Sequence, residues 1–205
     1  MIKNIIFDLG GVLVDFDPLR VMREMGLDEA GVESVAEHTV FGPHWKELDR
    51  GVLDKSEVFG KMISEAPAEY KASVSDFLNN QVLKTVKSFD YARKWVGSLK
   101  EKGLKIYLLT NYPEWLFDYH YKNVFTFTDF VDGKVVSGLV KLIKPDEGIY
   151  KTLLEKYNLT AEECIFIDDR SENVEAANKL GIKGICFTKQ KTVDEDIKKI
   201  IQQSE

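Results

Sequence analysis

Three short apolar runs in this chain each stop at residues able to do chemistry. Ile5-Ile6-Phe7 ends at Asp8, which is followed by Leu9 and the pair Gly10-Gly11; the run 104–109 ends at Thr110-Asn111; the run 164–167 ends at Asp168-Asp169. Continuous apolar runs of this length suit strands buried on both faces of a parallel sheet. In such a sheet, ligands bind in the crevice outside the carboxyl ends of the strands, so the three polar ends belong to one edge. Each alone reads as an ordinary strand-end turn. Their recurrence on three strands is what points to a site.

The residue types narrow the chemistry. Asp8, Asp168 and Asp169 repel one another unless a cation sits among them, and carboxylates without nearby His or Cys suit a hard ion such as Mg²⁺. The Thr110 hydroxyl, the backbone amides of the turn 9–11 and the Lys144 ammonium can hold the oxygens of an anion. Phosphate is the anion that commonly meets Mg²⁺, backbone N–H groups and Lys together. A carboxylate at a metal-charged phosphate is a candidate nucleophile, forming an aspartyl-phosphate. Lys144 and the metal then screen the repulsion between carboxylate and phosphate dianion.

The elements that must position these groups follow from periodicity. After Asp17 the pattern turns helical and stays so to about Lys87, with Leu19, Met22 and Met25, then Val32, Val35 and Ala36, at helical spacing. A block from His44 to Arg50 ends at Gly51, Ser56 is placed to cap a helix from Glu57, and Pro67 opens a last segment holding Phe77 and Leu78. This predicts an all-helical unit over 18–87. Alternating helices and strands resume at Ser88. A helix through Ala92, Val96 and Leu99 ends at Gly103, and Pro113 begins another after Thr110-Asn111. The stretch 130–141 reads as irregular or weakly extended. A helix follows Lys144-Pro145, Thr160 and Glu163 have the spacing of a capping box, and Ser171 opens the helix after the acidic pair. A strand at 184–187 and an amphipathic C-terminal helix complete the pattern. The expected fold is α/β: a Rossmann-like parallel sheet flanked by helices over 1–17 and 88–205, with an inserted helical cap at 18–87.

Composition sets outer bounds. The 205 residues are 44% hydrophobic and 30% charged, with a net charge of −6. That suits a globular protein and disfavours nucleic acid, whose phosphate backbone selects a basic face. No apolar run approaches the ~20 residues of a membrane helix, and no export signal opens the chain. Cys164 and Cys186, both in strand-like runs, read as buried free thiols of a reducing compartment. The expected setting is cytoplasmic, with a small-molecule partner, no membrane, and a monomer or weak homo-oligomer.

Together I-I-F-D-L-G-G-V-L, L-L-T-N, K-P-D-E-G-I-Y and F-I-D-D-R-S-E-N resemble the motifs, in order and at family spacing, of the haloacid dehalogenase (HAD) superfamily of hydrolases. The resemblance covers essentially the whole chain, and the helical block resembles the family's inserted cap. It implies Asp8 as nucleophile, Thr110 with Asn111 beside it binding phosphate together with the backbone of Leu9 and Gly10, and Lys144 orienting phosphate and nucleophile. Mg²⁺ would be held by Asp8, the Gly10 carbonyl and Asp169, with Asp168 a ligand or its supporting partner. The family's phosphatases usually carry an acid/base Asp where this chain has Gly10. The D-L-G-G variant resembles most the α-D-glucose-1-phosphate phosphatase-like branch, which suggests an anomeric hexose phosphate, whose leaving oxygen needs less help. Substitute proton donors would be Asp15, His38, His44 or Glu47, and Asn173 is placed to bond the acidic loop. The implied function is a Mg²⁺-dependent phosphatase of a small phosphorylated metabolite. The alternatives are a non-catalytic phosphometabolite-binding or regulatory protein on the same scaffold and, against the acidic pair, a 2-haloacid dehalogenase.

Overall fold

The computed structural model describes residues 1–203. Its seven strands are β1 (Asn4–Phe7), β2 (Val14–Phe16), β3 (Val86–Ser88), β4 (Lys105–Thr110), β5 (Gly133–Val136), β6 (Cys164–Asp168) and β7 (Lys183–Cys186). Five of them form an all-parallel sheet in the order β5-β4-β1-β6-β7. The first strand of the chain is therefore the central one. Phe7 stands opposite Leu108 on one side and Ile167 on the other, so Asp8, Thr110 and Asp168-Asp169 emerge at one edge.

The side-chain period of two splits the buried runs between two layers. Ile5 and Phe7 face one apolar cluster that includes Val96, Leu99 and Ile197, while Ile6, Leu109 and Phe166 face another that includes Ile149, Leu153 and Ala177. Each of the Ile, Leu, Val and Phe side chains among these, fully buried, stabilises the fold by about 1.5–3 kcal/mol before opposing entropy is counted. The insertion carries α1 (Pro18–Glu24), α2 (Glu29–His38), α3 (Trp45–Arg50), α4 (Lys55–Glu65) and α5 (Lys71–Asp76). Helices α6 (Ala92–Glu101), α7 (Glu114–Asn123), one-turn α8 (Ser137–Val140), α9 (Glu147–Tyr157), α10 (Ser171–Lys179) and α11 (Gln190–Gln202) follow. The sheet thus lies between α6 and α11 on one face and α9 and α10 on the other. None of the described helices is long and apolar enough to cross a membrane.

The helical reading of 18–87 needs two corrections. Val86–Ser88 is a strand, paired antiparallel with Val14–Phe16, so a two-stranded ribbon closes the base of the insertion. A three-residue strand is too short to show alternation. The start of α4 is capped by Asp54, whose carboxylate accepts from the Ser56 N–H at 2.8 Å; Ser56 itself lies inside the helix. Asp17 and Asp28 cap α1 and α2 in the same way. A π-helical turn (Phe77–Gln81) and a 3₁₀ turn (Val82–Lys84) lead back to the ribbon.

Three further expectations are revised. Residues 133–136 of the supposedly irregular stretch form a regular edge strand, β5. Its alternation is hidden because Gly133 stands where the Tyr157 ring packs against the backbone and leaves no room for a Cβ. Thr160 makes no side-chain capping bond, and Glu163 instead pairs with Lys3 at 2.5 Å. Both cysteines are free, but only Cys164 is buried; Cys186 ends the edge strand β7 and is exposed.

Candidate active site

Lys144 is the hub of the strand-end edge. It is 4% exposed, and its Nζ sits 2.8 Å from Asp8 Oδ1, 2.7 Å from Asp168 Oδ2 and 2.9 Å from the Leu109 carbonyl. All three ammonium protons therefore have acceptors, which is the condition for keeping a buried cation. Its backbone is clamped by Asn111, whose side-chain oxygen accepts from the Lys144 N–H at 2.8 Å and whose amide donates to the Lys144 carbonyl at 3.0 Å. Asn111, read from sequence as a substrate contact, thus spends its polar groups on Lys144 while also lining the cleft.

Asp168 is fully buried and fully used. Besides Lys144 it accepts from the Arg170 N–H at 2.9 Å and from the Asn173 amide at 2.9 and 3.1 Å. Asn173 lies on the first turn of α10 and bonds the acidic loop as expected. Asp169, beside it, is exposed. Its carboxylate forms no ion pair among the described residues and lies over Gly11, whose φ of +68° and lack of a Cβ both matter, since a Cβ there would collide with it. No such crowding exists at Gly10.

Burial raises Asp8 to about 6, the Asp168 charge adding to the rise while Lys144 and the Leu9 backbone oppose it. Burial also pushes Lys144 downward, but the two carboxylates beside it outweigh that and hold it above its ordinary value. Asp169 is raised by burial and by the charge of Asp168. Carboxylates raised in this way are short of positive charge. Asp8, Asp168 and Asp169 can each bring an oxygen within 4.8 Å of the others, an all-oxygen set that fits a hard divalent ion. Asp168 has its lone pairs committed to protein donors, so the oxygens left for a cation belong to Asp8 and Asp169.

A cleft of about 440 Å³ opens over this edge. Asp8, Gly10, Thr110, Lys144 and Asp169 line it together with the apolar side chains of Phe16, Trp45, Val86 and Leu116. Thr110 is 1% exposed, and its hydroxyl has no hydrogen bond among the described residues. Leu9 is wholly buried and meets the site only through its backbone. Of the proposed substitute donors, only Asp15 lines the cleft. His38 bonds the Ser34 carbonyl and His44 bonds Glu65, both on the insertion's own surface.

The sequence reading missed Asp49, Tyr112 and Arg170, all of which line the cleft. One signal was present: Trp45 and Asp49 are four apart and so share a face of α3. Nothing in the sequence says which face of a short helix turns toward a site on another unit.

Known proteins resemble this chain in sequence and in fold. The model of the haloacid dehalogenase-like hydrolase family matches residues 2–181. A sesquiterpene phosphatase of Aspergillus oryzae is 27% identical over 91% of this chain and 90% of its own. A D-ribitol-5-phosphate phosphatase of Bacteroides thetaiotaomicron is 26% identical over 89% of this chain and 90% of its own. Among solved structures, a HAD family enzyme of Bacteroides thetaiotaomicron, in complex with magnesium and inorganic phosphate, superposes with a TM-score of 0.71 at 22% identity, covering 92% of this chain and 95% of that one. With the family pattern running through nearly all of the sheet and its insertion, the chain belongs to the haloacid dehalogenase-like hydrolase family.

Proposed function

We propose that this protein is a magnesium-dependent phosphoric monoester hydrolase that turns over a small phosphorylated metabolite through a phosphoryl group carried on Asp8. The observation that carries this reading is the Lys144 ammonium held between Asp8 and Asp168 beneath a cleft where Thr110 has an uncommitted hydroxyl. Asp8 attacks phosphorus, and Lys144 keeps its free oxygen aimed into the cleft. Thr110 and the backbone of Leu9 and Gly10 hold the phosphate oxygens. Asp8, the Gly10 carbonyl and Asp169 would hold Mg²⁺, with Asp168 fixing Lys144 and the acidic loop. When bound, the ion supplies positive charge against both the nucleophile and the phosphate. The phosphatase names of the relatives and the magnesium-phosphate complex of the structural neighbour support the same assignment.

The insertion at 18–87 acts in this reading as the cap that meets the leaving group. Its Trp45, with Phe16, Val86 and Leu116, offers an apolar wall to the body of the substrate. A pyranose ring presents such a face, and so does an isoprenoid chain or an arene. The narrower reading, an anomeric hexose phosphate, is supported by Gly10 alone. Phosphate release from 4-nitrophenyl phosphate, with Mg²⁺ and with excess chelator, tests the activity; a panel of sugar, polyol and isoprenoid monophosphates tests the substrate. Absence of Mg²⁺-dependent release from every ester would favour the non-catalytic alternative.

A further inference from the structure

A phosphate ester of an ordinary alcohol needs a proton delivered to its departing oxygen, and the cleft's carboxylates are unequally free to carry one. Asp8 is joined to Lys144, Asp168 is committed to four protein donor contacts, and Asp169 faces the cation position. Asp49 differs. It reaches the cleft from α3, and its carboxylate has no hydrogen-bond or ion-pair partner among the described residues. Its backbone is held: the buried Ser137 hydroxyl donates to the Asp49 carbonyl at 2.5 Å while accepting from the Tyr112 N–H at 2.8 Å. Gly51, two residues on, is left-handed at φ +65° and packs against the Gly138 backbone, where a Cβ would collide. The end of α3 is thereby fastened to the first turn of α8 and, through the Ser137 hydroxyl, to the Tyr112 backbone.

We infer that Asp49 is the general acid and base of the reaction, a role that rests on the phosphatase reading above. In the first half-reaction the Asp8 oxygen–phosphorus bond forms, the bond from phosphorus to the ester oxygen breaks, and the Asp49 proton passes to that oxygen. In the second, Asp49 takes a proton from the attacking water as the Asp8–phosphorus bond breaks, so phosphate leaves and Asp49 is protonated again. The protonation state suits the task. Burial, then the Asp8 charge, raises Asp49 to about 7, opposed by Lys144 and Arg170. Tyr112 and Asp15 also line the cleft.

The test is kcat/KM, with Mg²⁺ present, for 2,4-dinitrophenyl, 4-nitrophenyl, phenyl and 2-phenylethyl phosphates in wild type and Asp49→Asn. General acid catalysis is worth about 10²–10⁴-fold, so Asp49→Asn should lose that much on 2-phenylethyl phosphate and progressively less as the leaving group becomes more acidic. The wild type should show a shallow dependence on leaving-group acidity and a fall in kcat/KM on the alkyl ester as pH rises past about 7. The variant should show a steep dependence and no such fall. An equal loss on all four esters, or no loss on the alkyl ester, overturns the assignment. Asp49→Glu should recover part of the alkyl activity, and Asp49→Ser serves if the Asn variant does not fold. Failure of the wild type to release phosphate from any of the four and from the whole metabolite panel above removes the phosphatase reading itself, a result distinct from either.

Discussion

The Asn111 carboxamide holds the Lys144 backbone at both of its polar atoms, accepting from the N–H at 2.8 Å and donating to the carbonyl at 3.0 Å. Asn111 stands at the end of β4 and Lys144 on the loop before α9, so this pair sets where the ammonium meets Asp8. Asn111→Ala should lower kcat on 4-nitrophenyl phosphate by about 10²-fold, the scale of a misplacement near 1 Å at the chemistry. KM should change little. A KM effect with intact kcat would place Asn111 on the substrate instead.

Asp8→Asn should abolish turnover, by on the order of 10⁴-fold or more, as loss of a nucleophile does. The variant should remain folded, because Asn keeps the shape and Lys144 keeps Asp168. Phosphate release within a few-fold of wild type, alongside an unchanged circular dichroism spectrum, would show that Asp8 is not the nucleophile.

The two neighbouring aspartates should separate cleanly. Asp169→Ala should weaken Mg²⁺ binding, read by calorimetry, with little change in melting temperature, since its carboxylate supports no other side chain. Asp168→Ala removes one partner of a buried ion pair and leaves Asn173 unmatched, a loss of about 3–5 kcal/mol in stability. Equal melting temperatures for the two variants would contradict the division of labour.

His120 makes stability depend on pH. Its ring is buried, with Nε2 donating to the Leu83 carbonyl at 2.9 Å and Nδ1 accepting from the Tyr112 hydroxyl at 2.7 Å. Burial holds its pKa below the ordinary value, the bond to Leu83 opposing only in part. The unfolded chain therefore binds a proton near pH 6.5 that the fold refuses, so this residue's contribution is complete above that pH and is lost as pH falls through it. The difference in unfolding free energy between wild type and His120→Gln, followed from pH 8 to pH 5, should shrink. A constant difference would mean that His120 is not neutral in the fold.

Asp49 has the opposite sign. Its folded-state value of about 7 lies above that of an unfolded aspartate, so the fold holds the extra proton and loses stability as pH rises through that window. Asp49→Asn should raise the melting temperature at pH 8, and the gain should fade by about pH 4, near the ordinary Asp value. A gain that persists at low pH would be a packing effect.

The strand ends were legible in the sequence because burial on both faces writes an uninterrupted apolar run, and Asp8, Thr110 and Asp168 each terminate one. The edge strand at Gly133 was not, since it has two buried apolar residues and a glycine kept for the Tyr157 ring. Lys144 was legible as a cation but not as the partner of Asp168, and Asn111 was assigned to substrate because its clamp on Lys144 links residues far apart in the chain. Asp49 was invisible for a related reason: the hydroxyl that places it, Ser137, is read only once two units have met.

Placing the first strand at the centre of the sheet also governs how the molecule is made. Asn4 finds its partners at Lys105 and Cys164, on either side. At a synthesis rate of about 5–20 residues per second, β1 would wait roughly 5–20 s for β4 to be made, and longer for β6. Through that interval Ile5, Ile6 and Phe7 have no neighbouring strand on the ribosome-bound chain, and the nascent polypeptide carries its Asp8 without the lysine that is to hold it. The helical insertion is synthesised within the same interval, so its helices can form early while the active edge assembles last.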